Sequence, residues 1–250
     1  MRVVVIIPAF NEAKSIGKVI GDLPRGVVEE VIVVNNASTD ATERHATEAG
    51  ATVLREDRKG YGYACLCGLS YLKERESDPD VVVFLDGDYS DHPGELTRLL
   101  QPIENEKADF VIGSRILGAR EGMVEPGAML PQAQIGNRVA CVLMRLFWGA
   151  SFTDLGPFRA IRYESLTALN MTDKTFGWTI EMQIKAARLN LRCMEVPVSY
   201  RRRIGVSKIT GTVSGTIKAS GKILWTIAKH AFAPPSTRKR LHPAGATPRT

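Results

Sequence analysis

The chain has 250 residues, 44 % of them apolar, and a formal net charge of +6, which fits one large soluble domain or two small ones. No apolar run reaches the roughly 18–20 residues of a bilayer span; the best candidate, 139–150, is short and carries Arg145. The four cysteines, Cys65, Cys67, Cys141 and Cys193, form no CxxC pair, and no signal peptide opens the chain, so a disulfide framework and a zinc site are not expected and a reducing cytoplasm is.

Residues 3–7 (VVVII) predict a buried strand, and a helix follows over 12–22. Residues 29–34 predict a second strand, with a helix from Thr39 whose start is marked by Ser38, Thr39 and Asp40 as capping residues. Residues 51–54 form a short third strand, and the Gly-rich turn KGYGYA leads into a helix over 63–75. A fourth strand at 81–85, a helix at 93–105 and a fifth strand at 109–113 complete the alternation. Continuous β-branched runs separated by helices indicate a parallel sheet covered on both faces. Ligands of such sheets bind at the carboxyl ends of the strands. The polar signals fall there: PAFNE after the first strand, NNASTD after the second, DGDYSD after the fourth and GSR after the fifth.

Charge is unevenly placed. After Glu195 there is no Asp or Glu, while Arg201, Arg202, Arg203, Lys208 and seven further Lys and Arg follow, so the preceding part is net acidic. Such a stretch suits phosphate or anionic lipid; nucleic acid is not expected as a partner. Residues 234–250 are expected to be a solvated, disordered tail.

Asp86 and Asp88 flank Gly87 at the end of the fourth strand. Two carboxylates one residue apart reach one cation, and Gly87 admits a close ligand. A polar turn is the other reading of the pair taken alone. Asp91, just before His92-Pro93, is expected to cap the next helix.

The ordered set PAFNE at 8–12, Asp40, DGD at 86–88 and GSR at 113–115 resembles the family 2 glycosyltransferases with the nucleotide-diphospho-sugar-binding (GT-A) fold, over residues 1–230. Within that family, SYRRRIGVSKITGT at 199–212, DLGPFRAIR at 154–162 and FGWTIEMQIKA at 176–186 are similar to the branch of dolichyl- and polyprenyl-phosphate sugar transferases. The resemblance implies an α/β three-layer sandwich with a mostly parallel central sheet, as one domain over 1–232. Its nucleotide-binding half would be 1–115, its acceptor half 116–210 and an amphipathic C-terminal segment 211–232. It also implies roles. Pro8, Ala9, Asn11 and Glu12 form the first nucleotide loop, Asn36 and Asp40 approach the base or ribose, and Lys59, Gly60, Tyr61 and Gly62 run under the nucleotide. Asp86 and Gly87 face the ribose or metal, Asp88 is the principal ligand of Mg²⁺ or Mn²⁺, and Arg115 reaches the diphosphate or the sugar. The chain departs from the family at Asn35-Asn36, where an acidic residue is usual, and at Tyr89-Ser90-Asp91-His92, where relatives carry Gln-His; His92 receives no catalytic role.

The implied reaction is an inverting transfer of a hexose from UDP-glucose or GDP-mannose, with a divalent ion neutralising the leaving diphosphate and Arg115 as a clamp. The acceptor is expected to be a polyprenyl phosphate at the inner membrane face. A soluble or cell-envelope hydroxyl acceptor is the alternative, with Glu181 as general base. A phosphate acceptor needs no base, and Glu181 would then orient the acceptor or the basic loop. Arg201, Arg202, Arg203, Ser207 and Lys208 are expected to hold the acceptor phosphate or close over the donor. In 213–232, Lys218, Lys222 and Lys229 share a stripe beside Trp225 and Phe232, which fits an interfacial helix, a helix packed on the domain, or a homodimer contact. Of the other classes, a nucleotidyltransferase would open with a Gly-rich loop and Lys after the first strand, unlike PAFNEAKS. A non-catalytic sugar-nucleotide-binding protein would not need the intact Asp86/Asp88 pair.

Overall fold

The computed structural model describes residues 1–205 and 213–232. The tail at 233–250 lies outside them. In chain order, β1 (Val3–Ala9), α1 (Ile16–Gly21), β2 (Glu30–Asn35), α2 (Thr42–Glu48) and β3 (Thr52–Arg55) come first. Next are α3 (Tyr61–Lys73), β4 (Val81–Phe84), α4 (Leu96–Glu104), β5 (Phe110–Ser114), α5 (Arg115–Arg120) and α6 (Pro131–Trp148). The remaining elements are β6 (Arg159–Arg162), α7 (Tyr163–Leu169), α8 (Trp178–Arg188), β7 (Cys193–Pro197) and α9 (Val213–Ala231).

Among the described residues the strands form one seven-stranded sheet in the order β3-β2-β1-β4-β6-β5-β7. β6 runs antiparallel to β4 and β5, and every other pair is parallel. Successive side chains of a strand face opposite ways. Val3, Val5 and Ile7 therefore pack under α1, α2 and α4, while Val4 and Ile6 pack with α3, α7 and α8 on the other face. Both faces are buried, which is why these strands read as unbroken apolar runs. The expected three-layer α/β sandwich with a mostly parallel sheet is the observed fold.

Three differences from the expectation have local causes. β6 is only four residues, RAIR, and begins with an arginine. Arg159 is nevertheless fully buried, because its guanidinium donates to the carbonyls of Leu155, Gly156 and Thr179. β7 is a half-buried edge strand containing Glu195, so it lacks an apolar run. Finally, α3 begins at Tyr61 rather than at 63. A Cβ at Gly60 or Gly62 would collide with the carbonyl oxygens of Lys174 and Asp173, so the glycines let the loop before α8 close against the start of α3.

Candidate active site

A cavity of about 350 Å³ opens at the carboxyl ends of β1, β2 and β4. Pro8, Ala9, Phe10 and Glu12 line it from the end of β1, and Asn36 from the end of β2. Lys59, Gly60 and Tyr61 come from the start of α3, Asp86, Gly87 and Asp88 from the end of β4, Thr175 and Phe176 from the loop before α8, and Arg203 from beyond β7. Most of the residues expected around a nucleotide thus share one cavity.

Asn36 shapes this cavity through the backbone. Its side-chain amide donates to the carbonyls of Glu56 (2.9 Å) and Arg58 (2.8 Å), and its oxygen accepts from Gly60 N (2.8 Å). It fixes the 56–60 loop that runs beneath the opening. Lys59 lies over the Phe10 ring, 5.2 Å from its centroid. Asp88 accepts from Ser90 N (2.9 Å) and Ser90 Oγ (2.5 Å) through Oδ1, and Arg203 stands 3.1 Å from its Oδ2. Arg203 also reaches Glu12 Oε1 at 3.2 Å. Asp86 Oδ1 is buried without a hydrogen-bond partner. Burial, and then repulsion from Asp88, pushes the Asp86 carboxyl up to about 7.

Several expected roles are corrected. Asn11 adopts φ +55° and joins the first two loops instead of lining the cavity: its N donates to Ser38 Oγ, and its Oδ1 accepts from Thr39 N. Asp40 anchors the start of α2, accepting from Thr42 N (3.0 Å) and Ala13 N (3.2 Å), and is absent from the lining. Gly62 packs on the 173–174 backbone. Arg115 is turned to the buried Asp154, which takes Nε and Nη2 at 2.8 Å each and the backbone N at 2.8 Å. So turned, it is absent from the cavity lining; Arg203 is the arginine that lines the cavity.

Glu181 is likewise no available base. It is 1 % exposed, and its oxygens accept from Thr172 N, Thr172 Oγ1, Asp173 N and Lys185 Nζ. Although burial opposes it, the bonds from Lys185 and Thr172 hold its carboxyl below the usual range. The three arginines of the basic loop also diverge. Arg201 stacks on Tyr89, 3.3 Å from the ring centroid, and donates to the Tyr89 carbonyl at 2.7 Å. Arg202 donates to the Pro126 carbonyl, and its backbone N to Glu125. Arg203 alone enters the cavity. Ser207 and Lys208 lie outside the described residues.

Asp91 is not a cap. The cap position falls to His92, whose side chain makes no capping bond. Asp91 pairs through its backbone with Tyr200, and both of its side-chain oxygens are buried without a hydrogen-bond partner. Burial, and then Asp86 and Asp88, push its carboxyl well above the usual range. The sequence also gave no sign that Phe10, Thr175 and Phe176 line the cavity. Phe10 lies within PAFNE and Phe176 opens FGWTIEMQIKA, with Thr175 just before it; that position was the one available signal.

Residues 4–166 match the model of glycosyl transferase family 2. The chain is 34 % identical over 227 residues to an undecaprenyl-phosphate mannosyltransferase of Micrococcus luteus, covering 86 % of this chain and 90 % of that protein. It is 28 % identical over 224 residues to a polyprenol monophosphomannose synthase of Mycolicibacterium smegmatis, covering 84 % and 82 %. Among solved structures, glucosyl-3-phosphoglycerate synthase of Mycobacterium tuberculosis, in complex with Mn²⁺, UDP-glucose and phosphoglyceric acid, shares the fold. The TM-score is 0.74 at 24 % identity, over 94 % of this chain and 81 % of that one.

Proposed function

The chain belongs to glycosyl transferase family 2 and is a hexosyltransferase, and we propose that it moves a hexose, with inversion, from a nucleoside-diphospho-sugar to a polyprenyl phosphate. The carrying observation is the pair Asp86 and Asp88 at one cavity wall, with Asp86 Oδ1 orphaned. Two carboxylates at a phosphate site fit a hard divalent cation such as Mg²⁺ or Mn²⁺, which takes its other oxygens from phosphate and water. Mn²⁺ in the complex of the fold relative supports this choice. Asp86 and Asp88 would hold the ion, which when bound neutralises charge developing on the leaving diphosphate.

This chain's own residues do the rest. Arg203 brings a guanidinium to the carboxylates, and Lys59 brings an ammonium beside Phe10; both suit a diphosphate. Asn36 holds the loop on which the nucleotide rests. The carboxylates support a phosphate acceptor. Glu12 is bonded to Arg203 and Ser15, Asp86 and Asp88 are assigned to the cation, and Glu181 is engaged elsewhere. Among the described residues lining the cavity, Glu12 is the one carboxylate not assigned to the cation, and it faces Arg203 and Ser15; a phosphate acceptor is already anionic and needs no base. The names of the two mannosyl-transferring relatives support a polyprenyl phosphate and favour mannose.

The test is Asp88→Asn, which keeps the shape and removes the charge. Transfer of labelled hexose from GDP-mannose or UDP-glucose to undecaprenyl phosphate should fall on the order of a hundredfold or more, with circular dichroism unchanged. A chelator should do the same to the unmodified protein. Undiminished transfer in both would overturn the assignment.

A further inference from the structure

Thr175 lines two cavities: the one that holds Asp86 and Asp88, and a second of about 340 Å³. The second is walled by Asp173 and Lys174 of the same loop, by Tyr63 of α3, and by Lys222, Trp225 and Lys229 of α9. None of these six lines the first cavity. The volume is in the range of small-molecule sites.

The charge in this second cavity is unbalanced. Two acids line it, Asp173 and Glu181, and each already has its cation. Asp173 pairs with Lys222 at 2.8 Å, and Glu181 with Lys185 at 2.7 Å. Among the described residues, Lys174 and Lys229 make no ion pair. Lys174 lies over the Tyr63 ring, 5.5 Å from its centroid, and Arg58 lies 4.6 Å from the same centroid. A ring face attracts cations and neutralises neither of them. No Asp or Glu follows Glu195, so α9 brings cations only. Two uncompensated ammonium groups thus face one concavity, Lys174 from the loop and Lys229 from the helix. A concave site of one sign concentrates the opposite ion, and a phosphate group, with two negative charges and several acceptor oxygens, suits two ammonium groups. The Tyr63 and Trp225 rings offer apolar surface to the organic part of a phosphate ester.

We propose that this cavity binds a small phosphate-bearing molecule as an effector, at a site separate from the one at Asp86 and Asp88. The loop 172–177 couples the two. Asp173 Oδ2 holds Lys222, while its Oδ1 accepts from Thr175 N (2.8 Å) and Gly177 N (3.1 Å). An anion that draws Lys222 away from Asp173 loosens this loop, whose Thr175 and Phe176 line the first cavity. Occupancy of the second cavity therefore weakens binding in the first, and the reverse holds by the same factor.

Trp225 is the reporter. It is 64 % exposed at the cavity, whereas Trp178 is buried and Trp148 lines a different cavity. Inorganic phosphate, titrated into the full chain with EDTA present, should change the tryptophan fluorescence saturably. Sodium chloride at equal ionic strength should not, and Trp225→Phe should abolish the change. Lys174→Gln with Lys229→Gln, both exposed positions, should retain circular dichroism and raise the apparent Kd on the order of tenfold or more. Arg203→Ala, in the first cavity, should leave the Kd unchanged. Absence of a saturable change would overturn the proposal. So would a change that chloride reproduces, that the lysine pair retains in full, or that Arg203→Ala removes. The coupling rests on the donor reading, whereas the fluorescence change needs no donor, so the two failures are distinct. In donor titrations with Mg²⁺, phosphate should weaken binding to the parent about fivefold or more and leave the lysine pair unaffected. Weakening that the pair retains would mark direct competition in the first cavity and overturn the coupling.

Discussion

Asp86 is a carboxyl group held where its charge is disfavoured. An aspartate in an unfolded chain titrates near 3.9, while in the fold this one is pushed up to about 7 by burial and by Asp88. A folded-state pKa above the unfolded one stabilises the fold below the unfolded value, and that stabilisation is lost as pH rises through the folded value. Asp86→Asn removes the charge, so the metal-free variant should melt a few degrees above the parent near pH 8, with the gap closing toward about pH 4. Mg²⁺ or Mn²⁺ should raise the melting temperature of the parent and leave that of the variant nearly unchanged. A gap independent of pH would assign the effect to packing. At this scale the sequence was partly legible. Asp86 and Asp88 could be found because they close a strand in a recognisable order of motifs. Arg115, Arg203 and Glu181 could not be sorted, since sequence says which charges are near a site but not which carboxylate or backbone oxygen each one meets. Asp154, 39 residues from Arg115, and Thr172, nine from Glu181, decided two of those cases.

The loop 172–177 is the element that ties the site together. Its Lys174 carbonyl accepts from Tyr63 N at 3.0 Å, and its Asp173 oxygens take Thr175 N, Gly177 N and Lys222. Glu181 clamps its first residues. Gly62→Ala would drive a methyl group into the Asp173 carbonyl. Overpacking of this sort costs about 1–3 kcal/mol, or about 2–4 °C of melting temperature per kcal/mol at this size. Because Thr175 and Phe176 follow in the same loop, donor affinity should fall as well. Gly21→Ala, with open space around it, is the control and should leave both nearly unchanged. Equal behaviour of the two variants in thermal melts and donor titrations would refute the interlock. β1, β2, β4 and β5 were legible because their buried stretches leave apolar, mostly β-branched runs. β6 and β7 were not, because Arg159 is held by carbonyls that only the fold supplies, and β7 carries Glu195 in a half-buried stretch.

At the scale of the molecule, the described strands form one sheet whose order weaves the chain together. β6 lies between β4 and β5, and β7 pairs with β5, so strands from beyond residue 115 complete the sheet of the first half. The cavity is assembled the same way: residues 8–12, 36, 59–61 and 86–88 meet Thr175, Phe176 and Arg203. A bound donor therefore bridges parts of the chain that are distant in sequence, and its binding free energy opposes their separation in unfolding. Ligand at a hundred times its Kd adds about 2.7 kcal/mol of stability, or about 5–10 °C in a protein of this size. UDP-, GDP- and dTDP-sugars should accordingly divide in a thermal-shift screen with Mg²⁺ or Mn²⁺, one base giving the full rise and the others a small one. Arg203→Ala should reduce that rise, while Arg202→Ala, which removes a side chain bonded at Pro126, should not. A screen in which no sugar nucleotide raises the melting temperature, or in which the two arginine variants respond alike, would show that the cavity between Glu12, Asp88 and Arg203 is not where the donor binds.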